Sequence, residues 1–424
     1  MNLAERVARY FGIYYGWIIV GLALISMAFW FGIRSSFSVF YVALLEDFQW
    51  GRGESAGVQS MALIVYMVMS PTVGGLIDRF GPRRVIIPGI LVLSLGLFLC
   101  ASIKTLGQFY FLYGVIVGTG VTFVSIVPHT AILSHWFERN RGLASGIAVS
   151  GMGVGTFALV PLSQHFITMW GWRFTFLVLG GLVFIILIPL SFMILKHKPR
   201  DIGLLPDGLK ASPPPRDINP QKTVQGNGTP REWTLKSVLS TGRFWALFAF
   251  PFLSLLGVYI IVVHNVRFMV DQGIDKMTAA FVFAMVGVVS SCFRIFWGWL
   301  SDRIGREKTY SMGMVCICMG TVSLQLVEIM GEAWFVYPFF IFSGMGWGAT
   351  APMFMATAAD LFKGRGIGLV YGMVEGGIGI SGAFGSWVGG YIFDRTQSYQ
   401  WAFILAIAVF ALSCLFMWLA APRK

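Results

Sequence analysis

A chain of 424 residues that is 56% hydrophobic and 12% charged, with mean hydropathy +0.74, is excluded from the soluble globular class. Its formal charge of +12 would suit nucleic acid, but the basic residues fall in short loops between apolar runs, so the charge reports membrane topology and no nucleic-acid partner is expected. All five cysteines (Cys100, Cys292, Cys316, Cys318, Cys414) lie in or beside apolar runs, which reads as structural thiols. Neither a metal nor a cofactor is expected.

Runs long enough to span a bilayer, about 20 residues each, fall near 15–45, 54–77, 84–103, 106–134, 142–168 and 173–195, then 243–267, 277–301, 309–330, 333–360, 366–393 and 400–421. The expected fold class is an all-α membrane protein of twelve transmembrane helices in two six-helix repeats. The first run is too long for a removable signal peptide and is read as helix 1. Boundaries follow as 1–196 for the first bundle, 197–240 for a Pro-rich polar linker and 241–424 for the second bundle. Within the linker, Thr229-Pro230-Arg231-Glu232 reads as a helix cap ahead of a short amphipathic helix carrying Trp233, Leu235 and Val238. Arg6, Arg9, Arg79, Arg83, Arg84, Arg139, Arg141, Arg303, Arg306, Lys308, Lys363, Arg365, Arg423, Lys424 and nine linker cations fall on one side of this arrangement. The opposite loops hold only Arg52, Lys104, Arg173, Arg267, Lys276 and Arg395. That bias puts both termini and the linker in the cytoplasm, for a multi-pass protein of the cytoplasmic (inner) membrane.

Two stretches repeat at an offset of 224 residues: Gly74 to Arg84, containing Asp78-Arg79-Phe80-Gly81, and Gly298 to Lys308, containing Asp302-Arg303-Ile304-Gly305. The same offset maps Arg141-Gly142 onto Arg365-Gly366, Pro128 onto Pro352, Gly120 onto Gly344, Gly153 onto Gly377 and Gly155 onto Gly379. Parallel repeats related by an axis along the membrane normal account for this. Asp78 and Asp302 end helices 2 and 8, where each carboxylate can bridge to an Arg or to the N-terminal amides of a neighbouring helix. Gating is therefore expected of Asp78, Arg79, Arg141, Asp302, Arg303 and Arg365, holding one side closed and separating on opening. The plainer alternative is a turn that only fixes topology.

These loops resemble the signature loop of the major facilitator superfamily, over nearly the whole chain. Trp136-Phe137-Glu138-Arg139-Asn140-Arg141-Gly142 through Gly151 resembles the helix 4–5 signature of monocarboxylate transporters and their bacterial relatives, which include oxalate/formate antiporters. Tyr14-Tyr15-Gly16-Trp17 is similar to the start of helix 1 in that group.

Ionisable groups inside spans cost about 2.5–3.5 kcal/mol each on the insertion scale, which makes them functional candidates. Arg294 on helix 8 shares a face with Gly287, Ser290, Ser291 and Gly298, small residues that leave room for water and an anion, and its guanidinium suits a carboxylate. The resemblance implies a substrate-binding Arg at this place; the alternative is a structural ion pair. Arg34 either contacts the anion or snorkels outward, and the Lys that mammalian relatives carry nearby corresponds to Ser35. Glu375 shares a face with Tyr371 and either pairs with Arg294 or takes up a proton. His129, in stripe with Thr122 and Ser125, either lines the cavity or packs. His264 and Asn265 lie toward the outer end of helix 7, at the entrance. The substrate-binding set is thus Arg294, Arg34, His129, Tyr371, Asn265 and His264, with Glu375 and His129 as proton-coupling candidates.

The resemblance has two departures. Proton-coupled relatives have an Asp four residues before the helix 8 Arg, where this chain has Ser290, and oxalate antiporters use a helix 11 Lys that is absent here. The expectation is a monomeric secondary transporter for a small organic anion, a monocarboxylate such as lactate or pyruvate, moved with protons by alternating access. A proton-driven multidrug or metabolite exporter and a non-transporting carboxylate sensor are the alternatives; no enzyme motif occurs. At the 224 offset, Arg294 matches Ser70, Glu375 matches Gly151, His129 matches Met353 and Arg34 roughly Val258, so the expected site is where the repeats differ.

Overall fold

A computed structural model describes residues 14–50, 52–196, 198–208, 233–362 and 366–420, and every regular element among them is helical. The chain runs through α1 Tyr15–Phe48, α2 Arg52–Phe80, α3 Pro82–Cys100 and α4 Leu106–Trp136. It then enters one helical run, Arg141–Ile194, of 54 residues. At 1.5 Å per residue that run is roughly 80 Å long, more than twice a hydrocarbon core. Gly171 divides it with φ 81 and ψ 165, a conformation that L side chains adopt only under strain, leaving α5 (141–170) and α6 (172–194). The remaining spans are α7 Gly242–Asp271, α8 Lys276–Ile304, α9 Arg306–Met330, α10 Val336–Leu361, α11 Ile367–Thr396 and α12 Gln400–Ala420. This is the twelve-helix membrane fold expected from the hydropathy pattern.

Several details differ from expectation. The duplicated turns are tighter than loops: α2 and α8 continue through Asp78 and Asp302, and one glycine each, Gly81 at φ 79 and Gly305 at φ 101, reverses the chain into α3 and α9. In α4 a π-helical turn spans Tyr110–Val117 and the helix breaks at Val124. It restarts at Ile126 with the Ser125 hydroxyl accepting from the Val127 amide at 3.4 Å. Pro128 falls in the first turn of the restarted segment, where its missing N–H is harmless. The expected Thr122–Ser125–His129 stripe is therefore broken. The linker helix is Leu235–Leu239, capped by Thr234 with Ser237, because Thr234 supplies the hydroxyl next to the apolar positions; Thr229 to Glu232 lie outside the described residues.

Contacts also correct the repeat register. Gly74 abuts Gly368 while Gly298 abuts Gly142, and Ser70 meets Gly372 while Arg294 meets Gly146. Likewise Leu93 meets Gly120 while Ile317 meets Gly346. The offset is 224 in α1, α2 and α3 but 226 from α4 onward, so the second repeat gains two residues between its third and fourth helices. Gly120 thus matches Gly346 rather than Gly344, Gly153 matches Gly379 and Pro128 matches Phe354. Arg141 matches Ile367 rather than Arg365, His129 matches Met355, and Glu375 matches Val149 rather than Gly151.

Two seams join the first six helices to the last six: α2 against α11, and α5 against α8. At the face carrying the described linker ends (the basic face hereafter), a Cβ on Gly74, Gly368, Gly142 or Gly298 would overlap the opposing backbone. Toward the other face the seams part. A Cβ on Gly379 would meet only Met67, at 4.0 Å, and one on Gly287 nothing within 4 Å. The molecule is closed on the basic face and splayed on the opposite one.

Candidate functional site

The basic-face closure is built from carboxylates on helix N-termini. Asp302 accepts from the Gly142 and Leu143 amides at 2.9 Å each, and Asp78 from the Gly368 and Leu369 amides at 3.2 and 3.1 Å. The first turn of a helix offers unpaired N–H groups and a positive dipole end, so a carboxylate from the other repeat satisfies both. Among the described residues, an ion network strengthens the α5–α8 seam and not the α2–α11 seam. Arg306 donates to Asp302 at 2.5 Å and to Asp360 at 3.2 Å, and Asp360 also pairs with Arg141. Arg141 is buried and further donates to the Phe137 and Ser134 carbonyls. Its Arg306 member is matched by Pro82 in the first repeat, which leaves Asp78 with backbone partners.

Asp78, Asp302 and Arg141 are thus brought together at the seams. Arg79 and Arg303 are not: one residue past the aspartate turns about 100° round the helix, and they lie over Phe80 at 5.1 Å and Trp299 at 4.2 Å. Arg365 lies outside the described residues. Arg306 was legible only as a topology charge, and Asp360 was missed, although an acidic residue closing α10 among basic loops was a usable signal.

Arg294 sits on α8 eight residues before Asp302, about 12 Å along the helix. It is 7% exposed and crosses to the other repeat, where Nη1 donates to the Val149 carbonyl of α5 at 3.1 Å. Its Nε has no partner, and neither does the Ser290 hydroxyl one turn away. Among the described residues no carboxylate pairs with Arg294. Of the two alternatives for Glu375, pairing with Arg294 does not occur, because the two residues face different seams. The small residues on its face do less to open space than expected, since Gly298 and Ser291 pack against Gly142 and Gly153.

Glu375 occupies the matching level of the α2–α11 seam, and the corrected register makes Val149, the residue Arg294 bonds, its counterpart. Glu375 is 6% exposed and accepts from the Tyr66 hydroxyl of α2 at 3.0 Å. Half-buried Arg34 stacks over the Tyr66 and Phe31 rings at 5.9 Å each and lies within electrostatic range of Glu375. Arg34 faces inward, lining a void of about 20 Å³ with Gln59, Tyr66 and Tyr113, enough for about one water. Tyr66, unremarked in the sequence, joins α1 chemistry to α11 chemistry.

The other expected site residues are placed less openly. His129 is buried, with Nδ1 on the Ser125 carbonyl at 2.8 Å and Nε2 unpartnered. The Tyr371 hydroxyl donates to the Met355 carbonyl at 2.9 Å, tying α11 to α10 rather than facing a cavity. His264 bonds the Ser386 carbonyl at 3.0 Å and packs against the Tyr399 ring at a 34° tilt. The Asn265 amide nitrogen is spent on the Ile261 and Val262 carbonyls, its Oδ1 unpartnered within the last six helices.

The linker adds an unforeseen tie. Asp207 accepts from the Glu138, Arg139 and Asn140 amides at 2.8, 2.7 and 3.2 Å. The Tyr14 hydroxyl lies 3.0 Å from both the Trp136 and Leu205 carbonyls and shares its single O–H between them. Burial, and then the Asp207 charge, pushes the Tyr14 phenol up to about 12, so it remains a donor at neutral pH.

The Major Facilitator Superfamily model matches residues 18–372. The chain belongs to that superfamily. It is a multi-pass membrane transporter, and neither its family nor its fold is that of an enzyme. It is similar to monocarboxylate transporter 13 of Rattus norvegicus, 27% identical over 92% of this chain and 86% of the relative. Monocarboxylate transporter 11 of Mus musculus is 28% identical over 96% and 88%. Among solved structures, the proton:xylose symporter XylE aligns with TM-score 0.72 at 13% identity, over 96% of both chains. The E. coli fucose:proton symporter FucP aligns at 0.69 and 14%, over 96% of this chain and all of that one. At such identities these structures establish the superfamily fold.

Proposed function

We propose that this protein moves a small organic anion, a monocarboxylate of lactate or pyruvate size, by alternating access coupled to protons. The observation that carries the reading is Arg294: a buried guanidinium between the repeats with no carboxylate partner among the described residues and an idle Nε. A buried charge left uncompensated costs several kcal/mol, and an anionic ligand that forks onto it relieves that cost. The printed names of the sequence relatives point to the same substrate class. Glu375, on the other seam with Tyr66 and Arg34, is the proposed proton carrier, and Arg34 a second contact for the anion. The loop-charge bias supports a cytoplasmic basic face, with both termini inside and the protein in the cytoplasmic membrane. Residues 1–196 and 241–424 then rock as two bundles about the seams, with the Asp78 and Asp302 contacts as the inner gate.

Uptake of labelled lactate or pyruvate into proteoliposomes under an imposed pH gradient tests this. The reading expects accumulation that collapses with the gradient and with Glu375→Gln. Uptake indifferent to the gradient removes the proton; no uptake of any small carboxylate removes the substrate class.

A further inference from the structure

Beneath the gate, the linker walls off a cavity of about 290 Å³. Ser134 and Arg141 line it from α4 and α5, Ala359 and Ile367 from α10 and α11, and Lys198 and Arg200 from the linker. The linker wall is braced. Asp201 caps the Lys198 amide at 2.9 Å, Tyr14 holds the Leu205 carbonyl, and Asp207 is pinned to three amides before α5. Arg141 is already paired with Asp360. Lys198 and Arg200 make no ion pair among the described residues, and one acidic side chain, Glu138, shares the lining.

We propose that this cavity binds a small multivalent phosphoanion, the chemistry of pyrophosphate or a phosphate ester, and that occupancy locks the basic face closed. The volume is at the low end for ligand pockets and suits a phosphate-sized group. Lys198 and Arg200 outnumber the one carboxylate in the lining, Glu138, and two separate cations suit the several oxygens of a phosphoanion better than one carboxylate, which separates this site from Arg294. The walls come from both repeats, so the cavity exists as such only while the seams are shut. A ligand that binds only that state shifts the equilibrium toward it, and transport slows because the gate must open in each cycle.

The test uses the full chain in nanodiscs of neutral lipid, with inorganic pyrophosphate as probe and amide hydrogen exchange at residues 142–143 and 368–369 as readout. At pyrophosphate ten times its Kd, exchange at both places should slow about tenfold, and Lys198→Gln with Arg200→Gln together should abolish the slowing. Both side chains are exposed and apart from the gate, so basal exchange should stay at the parent's level. Slowing in the parent with phosphatidylglycerol nanodiscs, and no further change on adding pyrophosphate, would overturn the multivalent ligand, because that headgroup's phosphodiester carries a single negative charge. Unchanged exchange under both conditions, or equal slowing in the double variant, would overturn it. The readout needs no transported substrate, so it is independent of the monocarboxylate reading.

Discussion

Asp302→Asn changes one atom in the α5–α8 seam and should open it. Asparagine keeps one acceptor oxygen, so one of the two amide bonds at 2.9 Å is lost and an NH₂ group faces an N–H. Arg306 retains Asp360 and Ser301 but loses its charged partner at 2.5 Å. Bonds to charged groups contribute about 1.5–3 kcal/mol each, and the charge at the α5 N-terminus about 0.3–1 kcal/mol. Allowing for partial replacement by the amide, the closed state loses about 2–4 kcal/mol, or roughly 30- to 1,000-fold in its ratio to the open state. Hydrogen exchange with mass analysis reads this at the amides of Gly142 and Leu143. Those of Gly368 and Leu369, bonded by Asp78 across the other seam, should speed up too if the seams open together. Unchanged protection at Gly142 and Leu143 would refute the gate. Faster exchange there with none at Gly368 and Leu369 would refute concerted opening.

Other perturbations follow from the same geometry. Arg303→Ala should leave exchange and transport at parent levels, since its guanidinium stacks on Trp299 outside the network; a loss comparable to Asp302→Asn would show that the network was drawn wrongly. Gly171→Ala imposes a side chain at φ 81 and ψ 165 and should cost about 1–3 kcal/mol, seen as a lower thermal midpoint with uptake retained. Tyr66→Phe removes the 3.0 Å donor to Glu375. It should shift the pH dependence of uptake while leaving pyruvate binding within about threefold, and an unshifted profile argues against Glu375 as the proton carrier.

The twelve spans were legible because lipid demands about 20 apolar residues per helix, and the more polar stretch from Gln164 to Arg173 already divides the run that the structure turns at Gly171. The gate aspartates were legible too, since duplication carried them. The register beyond α3 was not: a two-residue gain between helices leaves every glycine a plausible partner, and it takes matched backbone contacts, such as Gly74 with Gly368 against Gly298 with Gly142, to fix it. Pairing across seams was equally hidden. Arg294 and Glu375 share no sequence relation, and which faces which is set by rigid-body docking of two bundles. Tyr66 and Asp207 escaped notice because a tyrosine in a span and an aspartate in a polar linker are unremarkable until a partner 309 or 69 residues away arrives.

The central claim is that Arg294 holds the carboxylate, and substrate binding measured by calorimetry on the purified transporter tests it most directly. The parent should bind pyruvate or lactate and bind the neutral amide of lactate at least tenfold more weakly. Arg294→Lys, which keeps the charge but loses the fork, should weaken lactate binding about 10- to 100-fold. Arg294→Gln should erase the preference for acid over amide. Equal affinity of parent and Arg294→Lys for lactate, or a parent that binds the amide as tightly as the acid, would contradict it.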